Sequence, residues 1–293
     1  MAKPARSLSG RVVAITGAGR GIGAATARAL ARKGARVAIG DLDLESAERT
    51  AAELGGDAIA LRLDVTDRPG FAAFLDDVEE RLGPIDVLIN NAGIMPVTRI
   101  DDETDASVTR QLELNVHSVI FGTKEAVRRM RPRGTGHIVN IASTAGKGGF
   151  PGIATYCGCK HAVVGFSEAV RGEIRGSGIE VSCVMPALVK TELTSGIEDS
   201  RAVKRATPED VADAIVGALE RPHFDVFVPK KVGRMAWGLN LLPRAGREAV
   251  VRALKADRIM LDAANSQARS AYEARAAASA PAVEEMARDT AGA

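Results

Sequence analysis

Seven short apolar runs, separated by amphipathic stretches, restrict this chain to a narrow set of folds. The runs are Val12–Ile15, Val37–Ile39, Ala58–Leu61, Val87–Ile89, Ile138–Ile141, Val181–Val184 and Val226–Val228. Continuous apolar runs of this length suit strands covered on both faces, as in a parallel sheet. After the first run, Ile22, Ala25, Ala29 and Leu30 share one face of a helix, while Arg28, Arg32 and Lys33 share another. Residues 43–54, 67–82, 104–132, 153–176 and 207–220 repeat that pattern, and Gly34, Gly83 and Gly176 stand where helices should stop. The alternation predicts an α/β doubly wound (Rossmann) parallel sheet of about seven strands. No repeat or low-complexity linker divides residues 10–229, so residues 1–229 are expected to form one domain.

The first strand runs into Thr16-Gly17-Ala18-Gly19-Arg20-Gly21-Ile22-Gly23. Glycines at a strand-to-helix turn let backbone N–H groups approach a pyrophosphate, and the helix N-terminus favours its charge. Asp41, at the end of the second strand, is placed to accept hydrogen bonds from an adenosine ribose. A 2′-phosphate there would meet like charge, which favours NAD over NADP. Arg20 argues the other way, since an arginine near that pocket can hold a phosphate. Asp64-Val65 closes the third strand; Asp64 either accepts from an adenine amino group or caps the helix that follows. Asn90-Asn91-Ala92-Gly93 ends the fourth strand, and its small residues and amides suit either close cofactor packing or a simple turn.

Tyr156 and Lys160 are four apart on a helix and so lie on one face. An ordinary phenol has a pKa of ~10, and bringing it to ~7 takes roughly 4 kcal/mol of differential stabilisation. A nearby cation supplies part of that. A phenol so tuned exchanges a proton with an alcohol or carbonyl. Ser143, after the fifth strand, lies at the carboxyl edge of the sheet, where its hydroxyl could hold a substrate oxygen. Asn115, between Leu114 and Val116, is either a satisfied helix kink or the holder of a water.

Taken together, these pieces resemble the classical short-chain dehydrogenase/reductase family. The resemblance rests on Thr16-Gly17-x-x-x-Gly21-x-Gly23, Asp64, Asn90-Asn91-Ala92-Gly93, Asn115, Ser143, Tyr156-x-x-x-Lys160 and the turn from Pro186 to Thr191, across about residues 10–229. It implies Tyr156 as acid/base, with Lys160 lowering its pKa and bonding the nicotinamide ribose. Ser143 would orient the substrate oxygen, and Asn115 would hold a water linked to Lys160. Gly17, Gly21 and Gly23 would shape the pyrophosphate turn, Asn91 would neighbour the adenosine ribose, and Val189 and Thr191 would bond the carboxamide. Pro186-Ala187 departs from the family's usual Pro-Gly, so the loop that follows is expected to start differently.

The expected activity is hydride transfer between a secondary alcohol or ketone and NAD. The expected pocket walls are Met95–Glu103, Ala145–Gly152 and Ala187–Thr207. Apolar Ile94, Met95, Phe150, Ile153, Leu188 and Leu193 favour a lipophilic substrate such as a steroid, retinoid or fatty chain. A catalytically idle module that senses NAD(H) and regulates a partner is the competing reading.

A net charge of +2 and 3% aromatic residues argue against a nucleic-acid partner. Cys157, Cys159 and Cys183 form a sparse, odd set without metal spacing, and no apolar run reaches signal or membrane-span length. A cytoplasmic protein without a metal site is expected. Apolar positions on two faces of 104–132 and 153–176 suggest a homodimer or homotetramer. Residues 230–276 read as a helical extension. Met235, Leu239 and Leu242 at helical spacing, beside Lys and Arg, make 230–261 either a lid or partner-packing arm or a helix lying on an anionic membrane. The Ala-rich stretch 277–293 reads as a disordered tail.

Overall fold

A computed structural model describes residues 4–197, 205–253, 258–264 and 266–280. Seven strands form one sheet: β1 Val12–Thr16, β2 Arg36–Asp41, β3 Ile59–Arg62, β4 Val87–Asn90, β5 Gly136–Ile141, β6 Ile179–Pro186 and β7 Asp225–Val228. Their order is β3-β2-β1-β4-β5-β6-β7, and every neighbouring pair is parallel. The chain therefore reverses its direction of travel between β1 and β4, which opens a crevice above the carboxyl ends of those two strands.

Both faces of the sheet are covered, which is why the strands carry apolar residues on both sides. Val13 and Ile15 join Leu30, Ile39, Ile89 and Ile215 in one core. Val12 and Ala14 point the other way, toward Phe71, Leu75, Leu88 and Ile138. The first core is roofed by α1 Gly21–Arg32, α2 Leu44–Leu54 and α7 Pro208–Glu220. The second lies under α3 Arg68–Leu82, α5 Ser118–Met130 and α6 Ala154–Glu173. Helix starts follow local chemistry. Asp43 accepts from the Ser46 N–H to cap α2. Thr207 and Asp210 form a reciprocal cap on α7, with Pro208 in its first turn.

One predicted element differs. The stretch 104–132 is not one regular helix: α4 spans Asp105–Leu112, and a π-helical turn, Glu113–His117, separates it from α5. Asn115 sits in that turn. A π-turn inserts one residue and re-aims the side chains around it.

Beyond β7 the chain adds α8 Lys230–Asn240, α9 Arg244–Ala253, α10 Ile259–Ala263 and α11 Ser270–Ala277. The tail expected from 277 onward falls outside the described residues past Ala280, which is itself buried. Among the described residues no helix is long and apolar enough to cross a membrane, and none of their His, Cys, Asp or Glu cluster to hold a metal.

Candidate active site

The β1–α1 turn is tied to β4 by a threonine and an asparagine. The Thr16 hydroxyl oxygen accepts from the Asn91 N–H at 3.0 Å and the Ala92 N–H at 3.1 Å. The Asn91 side chain donates to the carbonyls of Thr16 and Gly17 at 2.9 and 2.8 Å. Asn91 is thus first a brace for the glycine turn. Gly17 has φ +64°, and a Cβ there would stand 2.8 Å from the Ala92 backbone. At Gly23 a Cβ would stand 2.4 Å from the Gly17 carbonyl oxygen. The turn is therefore a cradle that only bare backbone can form, and it leaves room for a pyrophosphate against the start of α1.

Asp41 accepts from the Gly19 N–H at 2.8 Å and from the Asp43 N–H at 3.1 Å. Arg20 pairs with Asp43 and lies 3.6 Å from Glu192. Asp64 accepts from the Thr66 N–H and hydroxyl at 2.9 and 2.6 Å, closing a turn ahead of α3. The residue at the N-cap of α3 is Asp67, so Asp64 is not that helix's cap.

The second half of the site sits at the ends of β4 and β5 and on α6. Tyr156 and Lys160 are both buried on α6. The Lys160 ammonium lies 5.5 Å from the Tyr156 ring centre and donates to the Ile141 carbonyl at 2.9 Å. The Ser143 hydroxyl accepts from the Ala145 N–H at 3.1 Å, donates to the Pro186 carbonyl at 3.4 Å, and lies close enough to the Tyr156 phenol to favour its ionised form. Asn115, fully buried, grips the backbone of Ile94 from both sides. Its Oδ1 accepts from the Ile94 N–H at 3.1 Å, and its Nδ2 donates to the Ile94 carbonyl at 3.0 Å. The side chain amide of Asn115 is thus satisfied by protein.

The electrostatics run against the expected acidification of the phenol. Burial pushes the Tyr156 phenol above its ordinary range, and the Ser143 hydrogen bond pulls it only partly back. Burial also pushes Lys160 down to about 8. In the free chain, desolvation of the phenol outweighs the pull of the Ser143 hydroxyl.

A single cavity of about 1300 Å³ joins the two halves. It is lined at one end by Gly17, Arg20, Gly21, Ile22, Asp41, Asp64 and Val65, and at the other by Ser143, Tyr156 and Lys160, with Asn91, Ala92, Gly93 and Asn115 between. Val189 and Thr191 line it as well, and Thr191 Cγ2 lies 3.6 Å from where a Gly21 Cβ would stand. That volume exceeds the ~300–1,000 Å³ of a typical single-ligand pocket, so it has room for a dinucleotide and a substrate together. Of the residues singled out from the sequence as site residues, Gly23 alone does not line this cavity; it packs beneath the turn, against Gly17, Ala18 and Asn91.

Others were missed. Tyr272, Met260 and Arg275, from the extension, also line the cavity. The Met95 N–H donates to the Tyr272 hydroxyl at 2.7 Å. A signal was available: the chain has two tyrosines, and both are in this site. Cys157, Cys159 and Cys183 are unpaired and buried, and burial pushes all three thiols up, which makes them poor nucleophiles.

The short chain dehydrogenase pattern matches residues 11–202. The chain belongs to the short-chain dehydrogenase/reductase family of oxidoreductases. Momilactone A synthase of Oryza sativa subsp. japonica is 36% identical over 254 residues, 84% of this chain and 93% of its own length. Glycine betaine reductase ATRR of Emericella nidulans is 36% identical over 232 residues, 75% of this chain, but this chain spans 18% of that protein's length. A crystal structure of a short chain dehydrogenase/reductase from Burkholderia phymatum in complex with NAD aligns with a TM-score of 0.73 at 26% identity, covering 79% of this chain and 93% of the other.

Proposed function

We propose that this chain transfers hydride reversibly between a secondary alcohol or ketone and NAD, with Tyr156 as the acid/base. The observation that carries this reading is the convergence of Ser143, Tyr156 and Lys160 in the same cavity as the glycine cradle. The bound nicotinamide would supply the hydride donor or acceptor. The chain's own part is to hold and move a proton. Ser143 fixes the substrate oxygen beside the phenol, and Tyr156 takes the hydroxyl proton or returns it. Lys160, 5.5 Å from the ring centre, favours the phenolate, and the positive charge of an oxidised coenzyme adds to that effect.

NAD is favoured over NADP because a 2′-phosphate would face Asp41 and Asp43, while Arg20 is already engaged by Asp43 and Glu192. The substrate end supports a lipophilic alcohol or ketone: Met95, Ile153, Ile197 and Met260 form one apolar cluster around Tyr156, with Phe150, Leu188 and Leu193 against it.

The test is Tyr156→Phe. Turnover on a panel of lipophilic alcohols and ketones, followed by NADH absorbance, should fall by at least about a hundredfold. NADH binding, followed by its fluorescence, should persist, and NADPH should bind more weakly than NADH. Full activity in Tyr156→Phe would overturn the mechanism, and tighter NADPH binding the cofactor preference.

A further inference from the structure

The family pattern ends at residue 202, yet a side chain 67 positions later is among the most buried in the molecule. Arg269 is 1% exposed. Its Nη1 donates to the carbonyls of Leu193 and Ser195, each at 3.0 Å. Its Nη2 donates to the Met95 carbonyl at 2.9 Å and meets the Glu273 carboxylate at 2.9 Å. Its Nε donates to the same carboxylate oxygen at 3.0 Å, so every guanidinium N–H is used. The guanidinium carbon also stacks 4.9 Å from the Tyr272 ring centre.

These bonds join two segments that line the same cavity as Tyr156. One is the loop after β4, where Met95 and Val97 also donate to Tyr272 and Glu273 at 2.7 and 3.3 Å. The other is the turn Glu192–Thr194, whose Thr194 hydroxyl donates back to the Val189 carbonyl at 2.5 Å. That turn follows Thr191, whose Cγ2 stands 3.6 Å from where a Gly21 Cβ would be, and both residues line the cavity. Its Glu192 pairs with Arg275 at 2.8 Å and reaches Arg20 at 3.6 Å. Ser195 adds a bond to the Ala268 carbonyl at 2.8 Å.

We propose that Arg269 is a positioning residue: it staples the turn that bears on the glycine cradle to the loop that walls the substrate end, and so sets how tightly the cleft closes on a dinucleotide. This rests on the reading of that cleft as a cofactor site. The planar fork matters. A lysine in its place has a compact head that cannot span three carbonyls from two segments and a carboxylate. The charge must also stay paired, because an unpaired buried partner is costly.

The full-length wild type, Arg269→Gln, Arg269→Lys and Glu273→Gln would be compared in two ways. Hydrogen exchange without cofactor should speed up about tenfold in peptides covering 193–197 and 95–98 of Arg269→Gln, with β1, β4 and β5 protected as in wild type. NADH titration by fluorescence should show Kd raised about tenfold in Arg269→Gln, with a changed emission of the bound NADH, and a smaller rise in Arg269→Lys and Glu273→Gln. Faster exchange with an unchanged Kd would reduce Arg269 to a structural clasp and overturn the proposal, as would unchanged exchange. Loss of protection across the sheet in Arg269→Gln would move the decision to Glu273→Gln, which must then reproduce both shifts or the proposal falls. A wild type that binds no NADH would instead sink the cofactor reading, whatever the variants do.

Discussion

At the scale of single residues, the site concentrates groups that burial makes unhappy as ions. Lys160 is the clearest case, with a pKa pushed from 10.5 down to about 8 by desolvation. Between those two values the unfolded chain binds a proton that the folded chain does not, so folding stability rises with pH across that window. The gain is on the order of 3 kcal/mol. Lys160→Met lacks this titration. We therefore expect the melting temperature of Lys160→Met, minus that of the wild type, to fall steadily from pH 8 to about 10.5 in parallel calorimetric scans. A constant difference would mean that Lys160 keeps its proton when folded. The spacing of Tyr156 and Lys160 is legible in the sequence. The sign of the Tyr156 shift in the free chain is not, because it depends on how completely residues from Met95 to Tyr272 exclude water.

At the scale of elements, strands and helices were legible because their causes are local: continuous apolar runs, amphipathic periodicity, and glycines at turns. The π-turn Glu113–His117 was not, since one inserted residue barely disturbs an apolar periodicity that continues on both sides. Its purpose is visible in the bonds of Asn115 to both backbone groups of Ile94. Asn115→Leu would leave that N–H and carbonyl buried without partners, and about 2–4 kcal/mol of stability should be lost in urea unfolding. A loss under about 0.5 kcal/mol would show the turn to be held by packing alone. The arm formed by α8 and α9 admits two roles. Val232, Met235, Arg244 and Arg252 line the cavity, which supports a lid. Met235 and Leu241, 41% and 69% exposed, beside basic Lys230, Lys231 and Arg234, support contact with an anionic bilayer. Salt-sensitive cosedimentation with vesicles containing phosphatidylglycerol, and none with phosphatidylcholine alone, would assign the arm to the bilayer; no binding to either leaves the lid or partner-packing arm.

Across the whole molecule, the apolar positions that suggested a subunit interface are largely spent within the chain. Val116, Val119, Met130, Val163 and Ile174 are buried in its own cores, and Leu112 and Ile120 remain exposed at 41% and 37%. A homodimer or homotetramer using this side is still the expectation. Light scattering after size exclusion should give a dimer or tetramer mass that Ile120→Glu lowers, and a monomeric wild type at micromolar concentration would dismiss it. The bonds from residue 269 to 95 and 193 bridge 174 and 76 positions of sequence, and no local pattern announces a partner that distant. They also order events in time. A ribosome finishes the seven strands of this sheet and the glycine cradle before it adds Arg269 and Tyr272, so a nascent chain carries the complete sheet before the bonds that tie residues 95 and 193 together can form.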